Sequence, residues 1–273
     1  MNIAANVETF VGRETKGGDR HGGTLTCLII PPAMPWWESW FGEEYLDLYP
    51  HRDQESARRE VAFALAKLGP DPAPLLDLCC GSGRHSARFA RHGIPPVGLD
   101  YSFAQLELAR ERGAGIRLVR ADMRRLPFGG SRFHSVVNFF TSFGYFIAEA
   151  DNLAVVTEIE RVLAAGGRVL CDTFSLDYAL ARLVPEESLS TAEREYRIRR
   201  WWNRETRRVE KEIEVKRGGS TGTFRESVRG YTSDELTEIF ERAGLKVDAL
   251  WGDFDGSPVG PGCPRIIVLA GKR

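Results

Sequence analysis

Three aspartates, Asp77, Asp100 and Asp122, follow one another at intervals of 23 and 22 residues. Each closes a short apolar stretch ("LLD", "VGLD", "LVRAD"), and a glycine loop, Gly81-Ser82-Gly83, follows the first. At the carboxyl ends of parallel strands such acids face the crevice where ligands bind in open α/β sheets. Asp100, about 20 residues past the loop, suits a ribose diol, because one carboxylate can accept from both hydroxyls. Gly81 and Gly83 let backbone approach a ligand without an intervening Cβ. Asp77 argues about charge. A loop made to cradle pyrophosphate leaves the helix start free of anions, yet here an acid stands four residues before the first glycine. Ser86 occupies the place of a dinucleotide fingerprint's third glycine, and the Lys-Ser/Thr pair of a P-loop is missing. The pattern favours a cationic nucleoside over a doubly anionic one.

The elements around these residues alternate. Val61, Leu65 and Leu68 recur at helix spacing and stop at Gly69-Pro70. Residues 74–78 read as a buried strand, "GRHSARFARHG" as a helix ending at Gly93, and "PPVGLD" as a strand ending at Asp100. Ser102 and Gln105 form a capping box ahead of a helix lined by Phe103, Leu106 and Ala109. "IRLVRAD" and "SVVNFFTSFGYF" give the third and fourth strands. "NLAVVTEIERVLAAGG" is a helix with Leu153, Val156, Ile159 and Leu163 inward, and "RVLCDTF" is the fifth strand. Residues 176–230 alternate at period two and read as antiparallel strands with one wet face, a cap over the sheet's edge. Thr232 and Glu235 cap a last helix, and "KVDALWGDF" and "RIIVLAGK" close the chain as a hairpin. The fold class is α/β: a doubly wound, Rossmann-like seven-stranded sheet, parallel with one antiparallel strand, with an N-terminal helical segment and a β-rich cap insertion. Residues 1–34 read as a disordered tail and 35–273 as one domain. Within it, 35–70 form a helical lid, 71–175 and 231–273 the ligand-binding core, and 176–230 the cap.

Bulk properties narrow the classes. The 273 residues carry a formal net charge of −1, so no global field favours nucleic acid or anionic membrane. Basic runs such as "RIRRWWNRETRR" are interleaved with acids and read as a solvated face. No apolar run reaches transmembrane length, and the first residues lack the order of a signal peptide. Five cysteines, two of them adjacent and none at metal-ligand spacing, read as free thiols in a reducing cytoplasm. No metal site is expected. Oligomeric state stays open, a homo-oligomer included.

A nucleoside bearing a sulfonium and an ammonium meets the charge requirement: S-adenosylmethionine (SAM). The segments "LLDLCCGSGRHS", "GLDYS", "RADMRRLPF" and "NFFTSFGYF", and the Gly166-Gly167 turn before "RVLCDTF", together resemble the class I SAM-dependent methyltransferases. The resemblance runs from about Trp36 to the C-terminus. It is closest to bacterial small-molecule enzymes with an N-terminal Tyr-Tyr-Arg set, here Tyr45, Tyr49 and Arg52. It implies that Asp77, Cys79 and the Gly81–Gly83 loop follow the methionine part, and that Asp100 takes the ribose hydroxyls with Tyr101 beside the adenine. Asp122 then accepts from the adenine amino group, Met123 reaches a ring nitrogen through its backbone, and Phe139 lies near the adenosyl and methionine parts. Tyr49 and Arg52 reach the cofactor from the N-terminal helix, Arg52 toward the methionine carboxylate. Cys79 departs from the family, which often has glycine there, and Phe133-His134 replaces the familiar Phe-Asp.

The implied reaction is in-line displacement of the sulfonium methyl by a small-molecule acceptor. Acceptor contacts are expected from Trp37, Tyr45, Tyr49, Phe143, Tyr145, Trp201, Trp202, Tyr231 and Asp253, an aromatic set suited to a flat or apolar molecule. No residue is assigned as general base; His51, His85 and His134 each read as structural. An NAD-linked oxidoreductase and a non-catalytic SAM-binding regulator are the alternatives.

Overall fold

The structure, a computed structural model, describes residues 35–42, 45, 48, 49, 54–113 and 115–273. The tail of residues 1–34, Arg52 and His51 lie outside the described residues.

After a short helix α1 (Trp36–Trp40) and α2 (Gln54–Leu68), strand and helix alternate: β1 (Leu75–Leu78), α3 (Arg84–Arg91), β2 (Val97–Asp100), α4 (Phe103–Glu111), β3 (Arg117–Arg120), β4 (Phe133–Asn138), α5 (Glu149–Val162) and β5 (Leu163–Phe174). The insertion holds α6 (Leu176–Ala181) and strands β6 (Glu186–Ser190), β7 (Glu195–Asn203), β8 (Arg208–Arg217) and β9 (Ser220–Arg229). Helix α7 (Ser233–Arg242), β10 (Leu245–Trp251) and β11 (Arg265–Lys272) complete the chain. The main sheet has the order β10-β11-β5-β4-β1-β2-β3, with β11 antiparallel to both its neighbours. Strand parity builds its two cores. Leu76, Leu78, Val136, Val169, Ile266 and Val268 meet Val156 and Ile159 of α5 and Leu236 and Phe240 of α7. Their sequence neighbours Leu75, Val137, Leu170, Ile267 and Leu269 meet Val61, Ala64 and Leu68 of α2 and Phe89 of α3. The sheet is therefore buried on both faces, and the seven-stranded doubly wound expectation holds.

Two boundaries and one element differ from the sequence reading. β4 stops at Asn138 instead of running to Phe146, because Phe140 and Thr141 take left-handed φ values of 64° and 60°. Asp172 holds that turn: Phe140 N–H donates to its Oδ2 (2.8 Å) and Thr141 N–H to its carbonyl (3.0 Å). Helix α5 ends at Val162, and Leu163 opens β5 opposite Phe133 rather than closing the helix. Helix α6 is a further element, capped by Ser175, whose hydroxyl accepts from Tyr178 N–H. Of the two capping boxes, Thr232–Glu235 is complete. Ser102 accepts from Gln105 N–H, but the Gln105 amide instead donates to Phe41 O (3.3 Å), fastening α4 to the N-terminal segment.

The insertion is a four-stranded antiparallel sheet in sequential order. Its dry face, Tyr196, Ile198, Ile213 and Val215, closes on Trp40 and Leu48 of the N-terminal segment. One tie to the main body is Arg208, fully buried, whose guanidinium donates to the carbonyls of Phe146 (2.8 Å), Tyr145 (2.8 Å), Gly144 (3.0 Å) and Ser227 (2.6 Å). Among the described residues no helix is long and apolar enough to cross a membrane.

Candidate active site

A cavity of about 310 Å³ opens at the carboxyl ends of β1, β2 and β4. Its wall joins the glycine loop to the N-terminal aromatics. The loop turns sharply, with Cys79, Gly81 and Gly83 all left-handed (φ 58°, 53° and 73°). Cys79 bears about 1–2 kcal/mol of strain as a non-glycine there, which explains why the resembling family prefers glycine at its position. Gly83 is on the far side of the loop from the cavity. A Cβ at Gly83 would meet Ala109 Cβ at 2.9 Å, so its bareness serves the packing of α3 on α4. Gly83→Ala should cost roughly 2–4 kcal/mol through combined backbone strain and overpacking. A lowered urea midpoint checks this; an unchanged one would show that α3 can move away.

Asp100 sits where the ribose was expected. Gly81 N–H donates to its Oδ2 (2.8 Å) and Ser102 N–H to its Oδ1 (2.9 Å). Each oxygen keeps a lone pair for a ligand hydroxyl. Desolvation raises its pKa, and the two amides oppose that shift. Tyr101 and Asp122 are also in the wall. Tyr101 OH donates to Glu38 Oε1 (2.9 Å) and Arg120 lies 5.8 Å from its ring. Asp122 is clasped by Arg124, whose guanidinium (2.6 Å) and amide (2.8 Å) both donate to it. That clasp outweighs desolvation and holds its carboxyl below the usual range. Met123 Sδ lies 3.5 Å from Cys79 Sγ in the cavity wall, and the Phe139 ring packs tilted against His85 with ring centres 4.5 Å apart.

Asp77 does not reach the wall. Parity in β1 turns it with Leu75 toward α3, where Ser86 Oγ donates to its Oδ2 at 2.5 Å. It is 1 % exposed, and burial pushes its pKa up to about 7. A carboxyl raised in the folded state favours folding most when protonated. Its contribution is full below about pH 4 and is lost as pH rises toward 7. Asp77→Asn should therefore flatten the pH dependence of the unfolding free energy between about pH 4 and 7, which in the wild type amounts to on the order of a few kcal/mol. An unchanged profile would mean that Asp77 is ionised throughout.

The acceptor candidates divide. Trp37, Tyr45, Tyr49 and Tyr145 line the cavity. Trp36 packs on Tyr145 (4.7 Å) and Phe41 stacks parallel to it (6.0 Å), making a continuous aromatic wall. Tyr49 OH donates to Glu226 Oε1 (2.6 Å) and contacts Lys211 Nζ, so the cap sheet reaches the cavity through this phenol. Burial, then the Glu226 charge, keeps Tyr49 protonated. The other candidates are elsewhere. Phe143 and Tyr231 are core residues, 5.4 Å apart, with Tyr231 OH donating to Glu149 Oε2 (2.7 Å). Trp201 is 43 % exposed, since strand parity places it with Arg197 and Arg199 on the wet face of β7. Trp202 is half-buried on β7 outside the cavity wall, and Asp253 pairs with Arg59 (2.6 Å).

The sequence reading missed Arg84, Gln105, Phe140 and Phe146 as wall residues. Arg84 had a signal: the first residue after a glycine loop opens the helix at the ligand. Phe140 had none, because its place depends on Asp172. His85 is in the wall, but its Nε2 lies 2.5 Å from Glu60 Oε2, consistent with a structural role.

Residues 75–167 match a family model described as a methyltransferase domain. The chain is a class I SAM-dependent methyltransferase, and SAM is its cofactor. It is similar to a dTDP-3-amino-3,4,6-trideoxy-alpha-D-glucopyranose N,N-dimethyltransferase of Streptomyces venezuelae, 26% identical over 228 residues, which cover 78% of this chain and 92% of that protein. Among solved structures, a SAM-bound amino pentose methyltransferase from Micromonospora echinaspora is 25% identical with a TM-score of 0.63, covering 85% of this chain and 97% of that one. A methyltransferase from Streptomyces caelestis shares the fold at a TM-score of 0.72 and 17% identity, covering 86% of this chain and 98% of that one.

Proposed function

We propose that this methyltransferase alkylates the amine of a small, sugar-sized acceptor. SAM supplies a methyl group already activated on a sulfonium. The chain's residues then have to fix the donor, align the acceptor and exclude water. Asp100, Tyr101 and Asp122 hold the adenosyl half. Trp37, Phe41, Tyr45 and Tyr145 form the acceptor half.

The observation that carries this reading is that both halves belong to one cavity, roofed by the N-terminal aromatics that the cap sheet holds in place. An amine acceptor matches the wall chemistry. His85 is engaged by Glu60, and Tyr49 is kept as a phenol. An amine reacts in its neutral form and needs no protein base, whereas an alcohol would. The relatives that cover most of the chain are named as sugar-amine methyltransferases, which supports the same class.

The test is transfer of labelled methyl from SAM to a panel of nucleotide-linked amino sugars and their hydroxyl counterparts. Label on the amines alone supports the reading. Label on the hydroxyl compounds alone would overturn it.

A further inference from the structure

The cap sheet carries a lysine and a glutamate on its inner face. Lys211 and Glu226 are direct partners across β8 and β9, and side chains at opposed positions share a face. Lys211 stands two residues before Ile213, so that face is the one that closes on Trp40 and Leu48. Lys211 is 8 % exposed, and its Nζ lies 3.6 Å from Glu226 Oε2. A buried ion pair contributes little net stability, because desolvation offsets the attraction, and apolar residues of similar volume often serve as well. Stability alone does not account for the pair.

The hydrogen bonds of the pair converge on one phenol. Glu226 Oε1 accepts from Trp40 Nε1 (2.6 Å) and from Tyr49 OH (2.6 Å), while Lys211 Nζ donates to the Tyr49 oxygen and lies 4.6 Å from the centre of its ring. Trp40 is fully buried in the same cluster, so it fixes the carboxylate to which Tyr49 donates. Tyr49 is thus held through its oxygen from two directions, and hydrogen bonds to charged groups are the strong ones. Of these four residues Tyr49 is the one in the cavity wall, where its ring packs on Tyr45 (5.0 Å) in the aromatic half. Lys211 and Glu226 stand behind that wall, not in it.

We propose that Glu226 and Lys211 are positioning residues for methyl transfer: through the Tyr49 oxygen they fix the ring that aligns the acceptor with the methyl group. Directional bonds suit that task, because they hold one atom at one place, whereas apolar packing alone lets a ring shift. A misplacement of about 1 Å at such a wall can cost on the order of 100-fold in rate. The inference rests on the reading of the aromatic half as the acceptor site, and adds the residues outside the cavity that set its shape.

Labelled-methyl kinetics on the full chain test it, with a nucleotide-linked amino sugar that takes label from the wild type as acceptor, alongside calorimetric titration with S-adenosylhomocysteine. Glu226→Gln should lower kcat/KM for the acceptor about 10- to 100-fold and leave the Kd for S-adenosylhomocysteine unchanged, which doubles as the check on folding. Tyr49→Phe, which removes the held oxygen, should cause a loss of similar size. Glu226→Gln added to Tyr49→Phe should then cause no further loss, the signature of residues that act as a unit. Should Glu226→Gln fail to fold, because the charge balance around Lys211 is lost, the double variant Lys211→Met/Glu226→Gln removes both charges and carries the same comparison. A full further loss in the Tyr49→Phe background would show that Glu226 does not act through Tyr49 and overturn the proposal. Wild-type kinetics in the variants would overturn it too, as would equal losses in turnover and in nucleoside binding. A wild-type chain that binds S-adenosylhomocysteine yet labels no amine would refute the acceptor reading itself, and the proposal with it, a result distinct from variants that label amines normally.

Discussion

Asp100→Ala will weaken S-adenosylhomocysteine binding by at least about 100-fold while the protein stays folded. The carboxylate has one lone pair on each oxygen committed to the Gly81 and Ser102 amides and one on each free for a ribose hydroxyl. Two charge-assisted hydrogen bonds at roughly 1.5–3 kcal/mol apiece set that scale. The fold should survive, because Asp100 lies at the strand's end and the two amides it releases face a cavity that admits water. Calorimetry on the variant, with circular dichroism as the folding control, reads the result. Unchanged affinity would remove Asp100 from the site.

The largest stability effect is expected at Arg208. This side chain of the cap sheet is fully buried, and burial pulls its pKa down. Its guanidinium nonetheless bonds four carbonyls and the Ser227 hydroxyl (2.7 Å). Three of those carbonyls belong to residues 144–146, the segment that carries the wall residues Tyr145 and Phe146. Arg208→Met fills the volume but leaves these acceptors dry and unpaired. Breaking such a buried charged network costs about 3–5 kcal/mol, a large share of a typical domain's 5–15 kcal/mol. Urea unfolding should show that loss. In any folded fraction KM for the acceptor should rise more than the Kd for S-adenosylhomocysteine, because the loosened segment carries the acceptor wall. A wild-type midpoint would show that the Arg208 clasp adds no net stability and that the cap is held by its apolar face and by Arg229, which bonds Glu149 and Glu235.

Much of this was legible in the sequence because local rules and tertiary structure agree. Period-two and helical spacing gave the two-sided sheet and the antiparallel cap, and the strand-end acids marked the crevice. The misses have physical causes. Asp77 was read as a ligand-facing charge, but strand parity turns it under α3 to Ser86. Phe143 and Tyr231 were read as acceptor contacts because they are aromatic and near the right segments, yet both fill the core beneath α7. Nothing local shows that Asp172, from β5, bends the chain after β4 and brings Phe140 to the cavity. The Arg208 clasp joins residues more than 60 apart in sequence, a pairing that no motif announces.

The central claim is that the crevice over β1 and β2, with Asp100, Tyr101 and Asp122 in its wall, takes an adenosyl methyl donor rather than a dinucleotide. Titration of the purified chain with SAM and, separately, with NAD tests it most directly. One SAM bound per chain, with no detectable heat from NAD, is the result this structure leads us to expect. NAD binding with SAM inert at millimolar concentration would contradict it.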